Sequence, residues 1–253
     1  ARALAAMKHV GLNVAADSLM SQTYIGVNGG LVIVVADDPG IHSSQNEQDT
    51  RFYGQFAQVP VLEPSDAQEA LEFTRLAFEL SERFDTPVIV RTTTRLSHTR
   101  STVELGARLE VAVRGFVDDR AKNVMIPVNA RPRHVALIER EGRLAVFLRD
   151  APLNRIEMRD PALGVITAGT CYPYVREVLP TASVLKLGAS WPLAGDLLRD
   201  FCASVKRVIV VEELEPLIER ELYSLGLAVA GKTAAGGALF PRTGEFSPEV
   251  VRA

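Results

Sequence analysis

Leu31-Val32-Ile33-Val34-Val35-Ala36 is followed at once by Asp37-Asp38-Pro39-Gly40-Ile41-His42-Ser43-Ser44-Gln45-Asn46-Glu47-Gln48-Asp49. An unbroken β-branched run without polar alternation is how a strand buried on both faces reads, and it predicts a parallel sheet covered by helices. The stretch after it is the opposite, with no apolar side chain from Ser43 to Arg51. In open α/β sheets ligands bind beyond the carboxyl ends of the strands, so His42, Ser43, Ser44, Asn46 and Gln48 form a candidate site. The plainer alternative makes Asp38 an N-cap, Pro39 the first helical residue and the rest a solvated helix start. That alternative accounts for Asp38 and Pro39 but does not require an imidazole and two amides together.

Upstream, Ala3 to Met7 is a short apolar strand, Lys8-His9-Val10-Gly11-Leu12-Asn13 a loop, and Val14, Leu19, Met20 and Tyr24 recur at helical spacing. Gly26 suits the helix C-cap, and the whole reads as a βαβ unit. A right-handed crossover makes the Ala3 and Leu31 strands parallel neighbours, about 4.8 Å apart. Lys8, His9 and Asn13 then open on the same edge as His42 and its neighbours.

Downstream, Val59 to Leu62 is a third strand, and Ser65 with Gln68 is read as a capping box for a helix with apolar Ala67, Ala70, Leu71, Ala77 and Phe78. Its other face, with Glu69, Glu72, Arg75, Glu79, Glu82 and Arg83, is read as solvated. Pro87 to Arg91 is a further buried strand, at whose end Arg91 and Arg95 have two readings. A guanidinium fork matches a substrate carboxylate, and equally it pairs with Glu63 or Asp66. Thr99 to Asp160 has weak periodicity, with Pro127, Pro132 and a turn at Gly142, and reads as a connector. A second α/β unit follows, with strands at Leu163 to Ala168, Ser183 to Leu187, Val208 to Val211 and Leu227 to Ala230. The division is therefore residues 1–100, connector 101–160, and 161–253.

With 253 residues, 47% of them hydrophobic, the chain can bury two modest cores. The 28 basic and 31 acidic residues nearly balance, and no basic run of nucleic-acid type occurs. No apolar run reaches the roughly 18 residues of a membrane span. Cys171 and Cys202 are too far apart for a zinc or iron–sulfur spacing and fit a reducing compartment, so the chain reads as cytoplasmic. Cys171 lacks a histidine partner in its half and reads as packing. Gly226 to Thr233 matches the Walker pattern letter for letter. However, a phosphate loop needs a strand before it and a helix after it, and Gly236, Gly237 and Pro241 stand where the helix should be, so the match reads as accidental.

The segments Met7 to Asp17, Asp37 to Asp49, Leu62 to Asp66, Lys186 to Gly188 and Val211 to Glu213 closely resemble the large subunit of indolepyruvate:ferredoxin oxidoreductase, and the likeness covers nearly the whole chain. The resemblance implies a thiamine pyrimidine-binding domain, transketolase-like, to about Arg100, followed by a transketolase C-terminal-like domain. It implies oxidative decarboxylation of an aryl-2-oxoacid to an acyl-CoA with ferredoxin as acceptor, and an oligomer with a small subunit. The cofactors implied are thiamine diphosphate with Mg2+, CoA and iron–sulfur clusters. By the same likeness Lys8, His9 and Asn13 would face the cofactor, and Ser43, Ser44, Asn46 and Gln48 the substrate, with Arg91 and Arg95 added to the substrate side by residue type and place alone. By position and residue type His42, with His9, would give a hydrogen bond or proton to the substrate oxygen.

The departures from that family are specific. Its Gly-Asp-Gly segment for the magnesium diphosphate has only Gly195-Asp196-Leu197 here, its cluster cysteines are missing, and the activating glutamate would lie upstream of Ala1. The chain is therefore read as an internal piece lacking the diphosphate-binding domain, with no metal-ligand set of its own. A non-catalytic scaffold that dimerises and docks partner subunits is the competing reading.

Overall fold

A computed structural model describes residues 1–112, 115, 117–233 and 237–252 of the chain. The first half runs β1 (Ala3–Lys8), α1 (His9–Val14), α2 (Ala16–Ile25), β2 (Leu31–Ala36), α3 (Arg51–Ala57), β3 (Val61–Leu62), α4 (Ala67–Phe84), β4 (Val88–Thr92) and α5 (Thr94–His98). Two helices follow, α6 (Arg120–Asn123) and α7 (Pro127–Asp150). The second half comprises β5 (Arg155–Glu157), β6 (Asp160–Ala168), α8 (Cys171–Val178), β7 (Ala182–Leu187), β8 (Ala189–Trp191), α9 (Gly195–Ala203), β9 (Val208–Val211), α10 (Leu217–Ser224) and α11 (Pro248–Arg252).

The first sheet has the order β1-β2-β4-β3-β8, parallel except for β8. β2 is covered on both faces, as its composition predicts. Val32 packs with Leu80 and Phe84 of α4, while Ile33 and Val35 pack with Leu12 and Leu19 of the α1–α2 side. The second sheet has the order β5-β7-β6-β9, with only β5 antiparallel. Its two faces are covered by α9 and α10 on one side and by α8 with Phe240 and Phe246 on the other.

Several expectations change. The α4 cap is Asp66, whose side chain accepts from the Glu69 N–H at 2.8 Å, while Glu69 folds back to the Ser65 N–H at 2.8 Å. The capping box is therefore shifted one residue along, because the extended backbone lies at Asp66. Glu69 is not solvated either, since it pairs with buried Lys186 at 2.5 Å. The 101–160 stretch holds a 24-residue helix, with Pro127 at its start and Gly142 inside it rather than in a turn. Leu144 and Leu148 of that helix enter the core beneath the first sheet. Leu227 to Ala230 is not a strand; only Ala230 bridges to Ile209. β8, from the second half by sequence, pairs with β3 and completes the first sheet.

Candidate functional site

β1 and β2 run side by side in register, with Lys8 opposite Ala36. Residues 37–50 leave β2 as a loop, and helix resumes only at Arg51, so the N-capping alternative for Asp38 and Pro39 is not realised. The backbone turns at Gly40 and Ile41, both at positive φ (85° and 54°). The cause is the Asp38 carboxylate, around which the loop folds. Its Oδ2 accepts from Ser44 Oγ at 2.7 Å, the Ser43 N–H at 2.9 Å and Lys8 Nζ at 3.2 Å. Its Oδ1 accepts from Thr94 Oγ1 at 2.9 Å and the His42 N–H at 3.2 Å. Burial opposes the charge, but these donors outweigh it and hold Asp38 well below the usual carboxylate range.

The Lys8 to Asn13 segment, expected as a loop, is the end of β1 and the start of α1, and it meets the 37–50 loop through further contacts. Lys8 Nζ also donates to Ser43 Oγ at 3.0 Å and to the Ser43 carbonyl at 3.2 Å. His9, 1% exposed, places Nε2 at 3.1 Å from the Asn46 carbonyl, and its Nδ1 is buried without a partner. Asn13 Nδ2 donates to Gln48 Oε1 at 2.8 Å, Tyr53 OH donates to Asn13 Oδ1 at 2.6 Å, and Gln48 Nε2 donates to Asn46 Oδ1 at 2.8 Å. The structure thus gathers Lys8, His9, Asn13, Ser43, Ser44, Asn46 and Gln48 at one lip. His42 stands on the rim with its side chain half exposed, its Nε2 3.5 Å from Glu245 Oε2.

The two arginines separate. Arg91 is buried, donating from Nε to Asp37 at 2.6 Å and from NH1 to Glu63 at 2.7 Å. Its pairing reading is therefore the one the structure adopts, and the carboxylate-anchor reading is withdrawn for it. Arg95 is exposed and pairs with Glu245 at 2.6 Å rather than with Glu63 or Asp66.

Beneath the loop lies a buried ionic layer that sequence reading did not assemble. Arg51 binds Asp49 at 2.6 Å and Glu212 at 2.5 Å, and reaches the carbonyls of Glu213 and Glu215 across the gap between the sheets. Glu212 also caps α10 through the N–H groups of Ile218 and Glu219, both at 3.0 Å. The only sequence signal was the Glu212-Glu213 pair at a strand end. Burial raises Asp37, Glu212 and Glu213 above the ordinary carboxylate range, whereas Asp49 is pulled below it because Arg51 and Arg91 outweigh its burial.

Two cavities flank the loop. One of about 200 Å³ is lined by Lys8, Asp38, His42, Ser43, Thr94 and His98, and one of about 230 Å³ by Gln48, Thr50, Phe52, Tyr53 and Phe56. The second is lined by three aromatic rings together with polar side chains. Among the described residues no cluster of three or more His, Cys, Asp or Glu side chains could hold a metal ion. The rings of Phe52, Tyr53 and Phe56 beside Gln48 and Thr50 are of a chemistry that suits a heterocycle.

Cys171 is buried, and burial raises its thiol well above the ordinary range, as suits packing. The Walker-like string cradles an internal anion: the N–H groups of Lys232 and Thr233 donate to Glu219 at 2.7 and 3.0 Å. Residues 234–236, the middle of the stretch that would have to be its helix, lie outside the described residues.

No protein-family model matches the chain. The IorA subunit of indolepyruvate oxidoreductase from Methanothermobacter thermautotrophicus is 46% identical over 91% of this chain. Those from Thermococcus kodakarensis and Archaeoglobus fulgidus are 45% and 43% identical over 97% and 91% of it. The chain is a relative of the IorA subunits. It spans 38–40% of the length of these three. The fold of this IorA-related chain is also that of a 2-oxoglutarate:ferredoxin oxidoreductase from Magnetococcus marinus, with a TM-score of 0.69 at 15% identity, covering 98% of this chain and 52% of the other. A split-gene transketolase, described as an inactive beta4 tetramer, matches at a TM-score of 0.52 and 15% identity over 87% of this chain and 62% of its own. Both sheets are thus transketolase-like in fold. No helix among the described residues is long and apolar enough to cross a membrane.

Proposed function

We propose that this chain forms one wall of the active site of a thiamine-diphosphate-dependent oxidoreductase that oxidatively decarboxylates aryl-2-oxoacids of the indolepyruvate class to acyl-CoA, with ferredoxin as acceptor. The observation that carries this reading is the meeting of the Lys8 to Asn13 segment with the His42 to Gln48 loop at the carboxyl ends of two neighbouring strands. The likeness to IorA along most of the chain supplies the reaction class.

Thiamine diphosphate, when bound, supplies the nucleophile and the electron sink. The Lys8–His9–Asn13 edge and the Tyr53 cavity would hold its ring, while the magnesium diphosphate, the iron–sulfur clusters and the small subunit belong to polypeptide beyond this chain. Ser43, Ser44, Asn46 and Gln48 shape the substrate side of the lip. They are held in one arrangement by Asp38 and Asn13 before any substrate arrives, which lowers the ordering cost of binding. His42 donates a hydrogen bond or proton to the keto oxygen as it gains negative charge. The nearby Lys8 ammonium favours the same charge.

In the full-length subunit assembled with its partners, His42→Ala should lower turnover about a hundredfold or more. Calorimetric affinity for the cofactor should change little. Unchanged turnover would remove His42 from the reaction, and absence of any cofactor binding by the intact assembly would favour the scaffold reading.

A further inference from the structure

Glu245 has no role in the reading above. It lies in the segment 237–247, which leads into α11 on the second sheet, yet its side chain reaches the rim of the first sheet's loop. The segment is pinned on both sides of it. Phe240 and Phe246 are buried in the core of the second sheet, and the Phe246 N–H donates to Glu213 at 2.8 Å. The Gly244 N–H donates to Glu47 Oε1 at 2.9 Å, and that oxygen also accepts from the Gly40 N–H at 2.5 Å, so the segment and the site loop share one acceptor. The Glu245 carboxylate held between these anchors is 11% exposed. Its Oε2 takes Arg95 at 2.6 Å and stands 3.5 Å from His42 Nε2, while its Oε1 is buried with no partner.

We propose that Glu245 is a positioning residue for His42, delivered to the site by the second sheet. A backbone anchored at Glu213 and Glu47 and a side chain paired with Arg95 hold the carboxylate beside the imidazole. His42 lines one cavity with Lys8, Ser43 and Thr94, so holding the ring through Nε2 would fix how its other nitrogen meets that cavity. The unpartnered Oε1 has a physical meaning on this account. A buried carboxylate oxygen without a donor is costly, and the His42 ring, 3.5 Å away at Oε2, is the neighbouring donor that could serve the same carboxylate. A salt bridge to Arg95 alone, exposed as that arginine is, would not require the second oxygen to be buried.

The proposal rests on the reading of His42 as a substrate-facing group, and two measurements separate them. In the assembled full-length enzyme, Glu245→Ala should lower kcat about tenfold with less than about a twofold change in KM. Glu245→Gln, which keeps an acceptor for the Nε2 hydrogen, should recover part of the loss. In a His42→Ala background Glu245→Ala should cost nothing further, and an equal cost in both backgrounds would overturn the proposal. The second measurement needs no activity. The chain has four histidines, so the His42 imidazole nitrogen signals can be assigned by substitution in isotopically labelled protein. They should move on Glu245→Ala or on Arg95→Gln, and signals that stay put would refute the pairing whatever the kinetics. If they move while His42→Ala leaves turnover intact, the pairing stands and the catalytic reading of His42 falls.

Discussion

Asp37 and Asp38 are chain neighbours with opposite titration behaviour. Asp38 gathers five donors that outweigh its burial and is held low, whereas burial, with Asp49 beside it, raises the Asp37 carboxyl despite Arg91 and two hydrogen bonds from Thr50. The signs matter for stability. Asp38 contributes stability above the ordinary carboxylate range of about 3.9, lost as pH falls through its lower folded value. Glu213, raised by burial, works the other way: its neutral form is favoured in the fold, so its contribution is full below about 4.3 and is lost as pH rises through the folded value. Glu213→Gln mimics the neutral form and keeps an acceptor for the Phe246 N–H. It should therefore raise the unfolding temperature near neutral pH, with the gain shrinking to nothing toward pH 4. Thermal scans across that range test it, and a gain independent of pH would contradict the burial argument. The candidate polar residues were legible because a polar run directly after a buried strand is locally visible. Glu245 was not legible, since its relation to His42 exists only through the folded chain.

At the scale of elements, the buried parallel strands were legible, whereas the antiparallel β5 and β8 and the helix α7 were not. Alternate residues of β2 and β4 supply opposite faces, and a β-branched run announces that in sequence. α7 contains Pro132 and Gly142, both breakers, and exposes Val128, Val135 and Val146, which blur its apolar stripe. What holds it is a line of buried Leu137, Leu144 and Leu148, together with Arg140, which donates to the carbonyls of Asp85 at 2.7 Å and Thr23 at 3.0 Å. Tertiary burial here overrides weak propensity. Leu144→Ala should cost about 2–5 kcal/mol in urea unfolding. A cost below about 1 kcal/mol would mean that α7 is not part of the first sheet's core.

For the whole molecule, the decisive feature is that the two halves share charged cores. Arg51 joins Asp49 to Glu212, Lys186 joins β7 to Glu69 of α4, and β8 crosses over to pair with β3. Removing one partner of a buried pair leaves the others uncompensated, so Arg51→Ala should destabilise the chain by about 3–5 kcal/mol. It should also split a single calorimetric transition into two, one for each sheet. A single transition with an unchanged midpoint would show that the ionic layer does not couple the halves.

By itself the sequence determined the α/β class, the neighbouring parallel strands β1 and β2, and the residues that meet at their ends. These are encoded in local patterns of burial, turn and capping, which act over a few residues. Only the tertiary structure decided that Arg91 serves the interior, that Gly142 is helical, and that Glu212 and Glu245 approach the first sheet from the second. Such contacts join residues far apart in the chain, and their energies come from desolvation and charge pairing in an interior that no local pattern describes.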